Sequence, residues 1–179
     1  MRYIWFQRND VLFEDGKINM NNFKRKIHQM VHEGDGYILF YCDGVSFGNP
    51  GNAGFGVVAR DNISQVIGTL SGGVGIATNS IAEIYVILCA LEWAVVLMVK
   101  KVIIRSDYKS VVSPFEKNKV PWYLRIRWQN VIQLFDDVKF QHCYREINFS
   151  ADLLAKKASS TLPVIPFTVL QPLKLPAKS

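Results

Sequence analysis

The sequence lacks the features that define several classes of protein. Among 179 residues it has three cysteines, Cys42, Cys89 and Cys143, with no CxxC or comparable metal-ligand spacing. An odd number without such spacing argues against a disulfide framework and a zinc site, and it indicates a reduced protein. The N-terminus carries charged residues where a secretory signal needs an apolar run. We therefore expect an intracellular protein, nuclear or cytoplasmic, that is not secreted.

Long hydrophobic runs are also missing. The most apolar stretch, residues 81–99, contains Glu83 and Glu92, and no uninterrupted run approaches the roughly 20 residues that span a bilayer. This pattern favours a buried helix and no membrane role. Hydrophobic residues make up 49% of the chain and charged residues 20%, so the chain can bury a core. The net charge of +6 is compatible with an anionic partner.

Composition divides the chain into three parts. Residues 1–36 are polar and aromatic, with a helix predicted near residues 20–32. Residues 37–160 contain nearly all of the regular periodicity. Residues 161–179 contain four of the seven prolines, which predicts an extended or disordered tail. We therefore predict one domain, 37–160, between an N-terminal extension and a proline-rich tail.

The periodicity of the middle part predicts an α/β fold with the element order βββαβααβα. Three meandering strands followed by alternating helices and strands imply a five-stranded mixed sheet with helices around it. The glycine run at 72–75 is predicted to break the chain. The predicted strands are 37–42, 55–60, 64–70, 101–105 and 138–144, and the predicted helices are 79–99, 108–115, 122–135 and 149–159.

Four carboxylates fall at the ends of these elements. Asp43 ends the first strand, Glu83 lies in the first turn of the long helix, Asp107 ends the fourth strand, and Asp152 lies in the first turn of the last helix. In a mixed sheet these ends can converge on one edge, where four acids would repel one another without cations. Mg²⁺ or Mn²⁺ suits such oxygen ligands. Two such ions can promote phosphodiester hydrolysis.

Each acid also has a purely structural alternative. Asp43 could begin a turn, and Glu83 could complete a capping box with the residues before it. Asp107 could be a helix N-cap. Asp152 could complement the dipole of its helix. Spacing alone does not choose between these interpretations, because fifteen acids offer many quartets.

The segments around the four acids resemble the ribonuclease H family. The resemblance covers about residues 37–160, and it extends to the ribonuclease H-like domain of plant non-LTR retrotransposons. The leader IWFQRND at 4–10 looks like the end of the segment before that domain, so residues 1–36 are interpreted as a remnant of a reverse transcriptase. The matching segments are FYCDGVS at 40–46, GNPG at 48–51, AGFG at 53–56, GVVARD at 56–61, TNSIAE at 78–83, IIRSD at 103–107, YREIN at 144–148 and NFSADLLA at 148–155.

The resemblance implies a function and a set of site residues. It implies a metal-dependent endonuclease that hydrolyses the RNA strand of RNA/DNA hybrids with two Mg²⁺ or Mn²⁺ ions. The expected partner is a hybrid or another nucleic acid, and the oligomeric state is left open with a monomer favoured. A cap or loop role for Asn79 is an equal alternative to substrate contact. The implied catalytic and metal-binding residues are Asp43, Glu83, Asp107 and Asp152, and the implied substrate-binding residues are Gly44, Ser46, Asn49, Gly51 and Asn79.

The sequence departs from the family's pattern before its last helix. Many active relatives place a histidine in a flexible loop there, whereas residues 144–148 form a short loop containing Arg145 and Glu146. His142 is predicted to lie inside the last strand and is not interpreted as the loop histidine. The departure supports a second hypothesis, a catalytically silent nucleic-acid-binding module or transposon-derived fragment.

Overall fold

The computed structural model describes residues 36–161 and, before them, three short strands at Tyr3–Trp5 (β1), Phe13–Glu14 (β2) and Lys17–Ile18 (β3). The helix predicted at 20–32 and the proline-rich tail after residue 161 lie outside the described residues. The division into an extension, a domain and a tail therefore stays a prediction.

A mixed sheet forms the centre of the domain. Strands β4, β5 and β6 form an antiparallel meander, and β7 and β8 continue the sheet parallel to β4. These are the five predicted strands. A sixth strand, β1, pairs antiparallel with residues 69–71 of β6, which gives the order β1-β6-β5-β4-β7-β8. The long strands are β4 (Tyr37–Phe47), β5 (Gly51–Arg60), β6 (Val66–Ala77), β7 (Lys101–Ser106) and β8 (Asp137–His142).

Helices cover both faces of the sheet. One face packs against α1, α2 and α3 through the main hydrophobic core, which includes edge-to-face contacts of Phe40 with Trp93 and of Phe55 with Tyr85. The other face packs against α4. The helices are α1 (Asn79–Val96), α2 (Lys109–Glu116), α3 (Arg125–Ile132), which follows a 3₁₀ turn at Trp122–Leu124, and α4 (Arg145–Thr161).

Helix α1 is the longest apolar element of the described chain. Its length and composition would suffice to cross a bilayer, but 61% of it is buried inside the domain. Its buried residues come from nearly every side of the helix, as expected for a helix enclosed by other elements. The sequence-based interpretation of a buried core helix agrees with this placement.

Helix α4 lies directly on the backbone of β5. A Cβ atom at Gly56 would lie 2.3 Å from the carbonyl oxygen of Ala151, and one at Gly54 would lie 2.4 Å from the amide nitrogen of Ser159. Real Cβ atoms do not approach this closely, so both positions require glycine. Because no side chain separates helix from strand, the position of α4 along the sheet is fixed by backbone contact.

Several predicted boundaries differ from the structure. Strand β4 continues to Phe47, five residues past its predicted end at 42, so Asp43 lies inside the strand and does not end it. The glycine run at 72–75 does not break the chain but lies inside β6, where residues 72 and 73 pair with β5 next to a β-bulge. Glycine inside a strand often marks such an irregularity. Helix α4 begins at Arg145 and not near residue 149, so the predicted loop at 144–148 is mostly the first turn of the helix.

Candidate active site

The first strand, its parallel neighbour and the long helix bring three acids together. Cys42 on β4 pairs with Ser106 on β7, so Asp43 and Asp107 come next at the same edge of the sheet. Glu83 reaches this edge because α1 packs on Gly44, where a Cβ atom would lie only 2.4 Å from the amide nitrogen of Glu83. The missing side chain of Gly44 therefore sets the distance between helix and strand.

The three carboxylates form a tight cluster. One oxygen from each of Asp43, Glu83 and Asp107 lies within 4.8 Å of the others. Asp43 and Glu83 are 5% and 7% exposed, and Asp107 is half-buried. Oε2 of Glu83 is buried and has no hydrogen-bond partner among the described residues. An unpaired buried carboxylate oxygen is costly, so the cluster is arranged to hold something positively charged.

The fourth predicted acid stands slightly apart. Asp152 lines the same cavity, but the cluster of carboxylates within 4.8 Å comprises only the other three. Its carboxylate forms an ion pair of 2.7 Å with Lys156, one turn further along α4. Because α4 begins at Arg145, Asp152 is not in the first turn as predicted, and helix-dipole stabilisation does not explain its position.

A cavity opens above the cluster. Its volume is about 410 Å³, which is large enough for a short stretch of a polymer backbone but not for a whole macromolecule. Its wall includes all four predicted acids and side chains from the last strand and last helix. The lining residues are Asp43, Gly44, Val45, Asn79, Glu83, Asp107, Tyr108, His142, Cys143, Tyr144, Arg145 and Asp152.

Burial and mutual repulsion raise the pKa values of two of the acids. Burial, followed by the charges of Asp107 and Asp152, raises the pKa of Asp43 to about 7. Burial, followed by the charges of Asp43 and Asp107, raises the pKa of Glu83 well above its usual range, and a hydrogen bond from the Gly44 backbone opposes the rise. Strongly raised carboxylate pKa values in a cleft are typical of functional sites.

The raised pKa of Asp43 predicts a pH dependence of stability. The pKa of about 7 in the folded protein exceeds the value of about 3.9 in an unfolded chain, so the folded state holds an extra proton between these values. The stabilisation of the folded protein by this proton is present in full below about pH 4 and is lost as the pH rises through 7. In EDTA we expect the free energy of unfolding to fall by on the order of 3 kcal/mol between pH 5 and pH 8.

Thermal or denaturant unfolding at each pH measures this dependence. The variant Asp43→Asn removes one of the two titrating groups and should make the fall shallower, while Glu83, whose pKa is also raised by burial, keeps a remaining slope. A parent protein whose stability rises between pH 5 and pH 8 in EDTA would contradict the raised pKa.

Asn148 joins the two acids of the sheet, and the sequence interpretation did not assign it a role. It is fully buried, and its Nδ2 donates to the Cys42 carbonyl at 3.0 Å, to Asp107 at 3.3 Å and to Asp43 at 3.4 Å. The amide therefore holds both carboxylates in place from the first turn of α4. One signal could have revealed it, because Asn148 continues the buried stripe of α4 at helical spacing: Asn148, Ala151, Ala155 and Ala158.

Three more side chains of the last strand and helix reach the cavity. His142 is the last residue of β8, as predicted, and its Nε2 lies 3.2 Å from the Asp107 carbonyl oxygen. Arg145 is exposed, and its Nε lies 3.9 Å from Asp107. Cys143 is buried in the wall, where burial and the charge of Asp107 raise its pKa to about 11. Arg145 thus places a cation beside Asp107 at the start of α4.

The predicted substrate-binding residues form a hydrogen-bonded network beside the cavity. The amide N–H of Ser46 donates to Oδ1 of Asn79 at 2.6 Å, and the amide N–H of Asn79 donates to Oδ1 of Asn49 at 2.9 Å. Ser46 is buried, and its hydroxyl donates to the Ala77 carbonyl. Ser46 therefore orients Asn79, and its substrate-binding role stays a prediction.

The glycines of this predicted set have internal reasons to be glycine. A Cβ atom at Gly51 would lie 1.5 Å from the carbonyl oxygen of Phe47 across the turn. Gly44 contacts the backbone of α1, as described above. Close backbone contacts therefore account for both glycines, and their role in substrate binding stays a prediction.

The structural alternatives for three of the acids are contradicted. Asp43 lies inside β4 and begins no turn. Thr78 caps α1 through its hydroxyl, which accepts from the amide of Ile81, so Glu83 is in no capping box and lies beyond the first turn. The N-cap of α2 is Tyr108 and not Asp107. The cap role weighed for Asn79 also belongs to Thr78.

The chain belongs to the reverse transcriptase-like family, whose model matches residues 41–158. Ribonuclease HI of Halobacterium salinarum is 30% identical over 128 residues, which are 69% of this chain and 64% of that protein. A bifunctional protein of Mycobacterium tuberculosis is 32% identical over 127 residues, 68% of this chain and 35% of that protein. The chain thus spans about a third to two thirds of the length of these relatives.

Solved structures show the same fold. The crystal structure of RNase H1 from Halobacterium salinarum gives a TM-score of 0.64 at 30% identity and covers 69% of this chain and 97% of that chain. LC11-RNase H1, solved in complex with an RNA/DNA hybrid, gives a TM-score of 0.59 at 27% identity. The match covers 68% of this chain and 95% of that chain. The domain therefore has a ribonuclease H-like α/β fold, which confirms the predicted fold class.

Proposed function

We propose that this chain is a divalent-metal-dependent endonuclease that hydrolyses the RNA strand of RNA/DNA hybrids. The observation that carries the proposal is the cluster of Asp43, Glu83 and Asp107, buried and within 4.8 Å of one another at the floor of an open cavity. Relatives named as ribonucleases H and a related structure with a bound RNA/DNA hybrid support the substrate class.

The donor set fits a hard divalent cation. The unpaired Oε2 of Glu83 and the raised pKa values of Asp43 and Glu83 both mean that the site lacks positive charge. Carboxylate oxygens are the ligands that Mg²⁺ and Mn²⁺ prefer. We propose two ions, held by Asp43, Glu83 and Asp107 with Asp152 at the cavity wall. When bound, such a pair supplies an activated water and stabilises the leaving oxygen.

The chain's own residues would set the geometry around the reacting phosphate. Asn148 fixes the orientation of Asp43 and Asp107, so neither carboxylate needs to reorganise during the reaction. Arg145, exposed at the start of α4, can approach a non-bridging phosphate oxygen from the opposite wall. Asp152 is held by its ion pair with Lys156 at 2.7 Å.

Two asparagines are positioned to recognise the duplex. Because Oδ1 of Asn79 accepts from Ser46 and Oδ1 of Asn49 accepts from Asn79, each amide is held with its NH₂ group as the end left for a ligand. NH₂ groups donate to minor-groove base acceptors and to 2′-hydroxyl oxygens. We propose that Asn79, on the cavity wall, and Asn49 beside it read this groove.

The variant Asn79→Asp tests this assignment. It keeps the oxygen that accepts from Ser46 and replaces the donating NH₂ group by a second acceptor. We expect KM for a hybrid to rise about tenfold, equivalent to about 1.4 kcal/mol, with little change in stability. The exposed Asn130→Asp adds the same charge on α3 and serves as the control. An unchanged KM would remove Asn79 from the recognition surface.

The nuclease activity is tested with four labelled 20-base-pair substrates, namely an RNA/DNA hybrid labelled on either strand, duplex DNA and duplex RNA. In Mg²⁺ or Mn²⁺ we expect cleavage of the RNA strand of the hybrid alone, and none in EDTA. A folded protein that cuts no substrate in either metal would overturn the proposed activity.

A second candidate is a nucleic-acid-binding module without turnover. The structure of the β8–α4 connection favours it, because only residues 143 and 144 separate the strand from the helix. This connection has no room for the flexible histidine loop of many active relatives. Hybrid binding in the absence of any cleavage would support this candidate.

A further inference from the structure

The sheet has a second polar surface, which runs away from the cavity across its outer strands. Tyr37 and Tyr41 lie on the same side of β4, since alternate residues of a strand share a face. The charged guanidinium carbons of Arg60 and Arg105 lie 5.7 and 5.4 Å from the ring centre of Tyr41. The ammonium of Lys101 lies 5.8 Å from the ring centre of Tyr37.

Lys139 completes this surface, with its ammonium 4.1 Å from the Tyr37 ring centre. We call the four cations around the two tyrosines the basic sheet face: Arg60, Lys101, Arg105 and Lys139. Among the residues that the structure describes, the acid in contact with these groups is Asp137, which pairs with Lys139 at 3.8 Å and accepts from the Tyr37 hydroxyl. The surface therefore carries an excess of positive charge.

The basic sheet face is open to ligands of extended shape. Helix α4 covers this side of the sheet mainly over β4, β5 and β6, so the outer strands β7 and β8 present their polar side chains. Lys101 and Lys139 are exposed, and Arg60 and Arg105 are half-buried. Arg105 is held rigidly, because it donates to the Tyr41 hydroxyl at 2.7 Å and to Gln141 at 3.1 Å.

The register of the strands joins this surface to the cavity. Arg105 on β7 is two residues before Asp107, which directly follows the strand, and its pairing partner Gln141 is two residues before Cys143. Tyr41 and Cys143 belong to one buried cluster. From Asp107 back to Lys101 the strand covers about 20 Å at ~3.3 Å per residue, which equals about six phosphate steps at ~3.4 Å per step along a duplex.

We propose that the basic sheet face binds the phosphodiester backbone of the nucleic acid beyond the cleavage position. Its charge complements phosphate, its length matches several nucleotides, and it is continuous with the carboxylate cavity. This inference rests on the proposed function for the identity of its ligand. The two exposed lysines would contact phosphate oxygens, while the tyrosines and Arg105 hold the surface in shape.

The double variant Lys101→Gln/Lys139→Gln tests the proposal, and Lys101→Arg/Lys139→Arg is its charge-retaining control. Fluorescence anisotropy in Ca²⁺ measures binding of a short hybrid of about 4 base pairs closed by a non-nucleotide linker, and of a long hybrid of about 24 base pairs. The short hybrid is about 14 Å long at ~3.4 Å per step, so it cannot reach from the cavity to Lys101. For the long hybrid we expect the glutamine variant to raise Kd about tenfold or more near 0.1 M salt. Its slope of log Kd against log salt should decrease by about 1.8, since each lost phosphate contact removes roughly 0.9.

The arginine variant should bind both hybrids as the parent does, and the glutamine variant should bind the short hybrid as the parent does. Unchanged binding of the long hybrid, or an equal loss on the short one, would overturn the proposal. Binding of polyglutamate that the glutamine variant loses while it retains hybrid binding would assign the surface to an acidic protein instead, which also overturns it. Cleavage of the short hybrid in Mg²⁺ is scored separately, so loss of the proposed function and loss of this inference give different results.

Discussion

Replacing Asp107 by asparagine is expected to lower the rate of RNA-strand cleavage at least 1,000-fold, equivalent to about 4 kcal/mol of activation free energy. The amide keeps the size of the carboxylate and can still accept from Asn148, but it removes one of the three charges that we propose to hold the metal. Single-turnover cleavage of a labelled hybrid in Mg²⁺ measures the loss.

The same substitution should not destabilise the metal-free protein. The charge of Asp107 is a main cause, after burial, of the raised pKa of Asp43, so its removal relieves repulsion inside the site. We therefore expect the unfolding temperature in EDTA at pH 8 to stay the same or rise while activity is lost. The exposed Asp136→Asn removes the same charge at the surface and should retain activity within about twofold. Asp107→Asn activity within tenfold of the parent would contradict the assignment.

Replacing Gly44 by alanine is expected to cost about 3 kcal/mol of unfolding free energy, at the upper end of the range for overpacked cores. The new methyl group would lie 2.3 Å from the Ala82 carbonyl carbon and 2.4 Å from the Glu83 amide nitrogen. These are backbone atoms of a buried helix and cannot rotate away. Helix α1 must move off β4, and Glu83 moves with it, so hybrid cleavage should fall as well. Denaturant unfolding and cleavage of the same samples measure both effects.

The control for Gly44→Ala lies on the same helix. Ser80 is exposed in the first turn of α1, and Ser80→Ala should change stability by no more than about 0.5 kcal/mol. A Gly44→Ala protein with parental stability would show that the helix and strand can separate without cost. That result would contradict the close packing that positions Glu83.

The sequence was sufficient to predict the order of the elements and the edge of the sheet where the acids meet. The period-2 and helical patterns identified the five long strands. Asp43 and Asp107 meet as predicted, although Asp43 lies inside β4 and not at its end. Glu83 was also placed correctly in space, although its helix begins at a different cap. The capping box was misread because Thr78, one residue before the helix, offers its hydroxyl first.

Contacts distant in sequence explain the errors. The glycines at 72 and 73 are typical of a chain break when taken alone, but the neighbouring strand supplies their hydrogen bonds. The predicted start of α4 near residue 149 leaves out Asn148, a residue of low helix propensity. In the folded protein Asn148 lies in the first turn of the helix. Its side-chain amide donates hydrogen bonds to the Cys42 carbonyl oxygen and to the carboxylates of Asp43 and Asp107. A local sequence pattern shows neither the strand that pairs with these glycines nor the groups that Asn148 binds.

The basic sheet face could not be predicted from the sequence, because its residues are also brought together by contacts distant in the chain. Lys101 and Arg105 are an ordinary pair of cations on a strand, and Lys139 and Arg60 come from strands far away in the chain. Only the pairing register places the four around Tyr37 and Tyr41. The two tyrosines alone gave no sign of what surrounds them.

The position of α4 at the end of the domain has a consequence for biosynthesis. A ribosome delivers Asp43, Glu83 and Asp107 first, and Asn148 and Asp152 only with the last helix, at about 5–20 residues per second. Until that helix docks on the bare backbone of Gly54 and Gly56, the nascent chain has three acids without the amide that aligns them. Assembly of the site therefore waits until the last helix of the domain has been synthesised, and a transcript truncated before α4 would encode a sheet that lacks both Asn148 and Asp152.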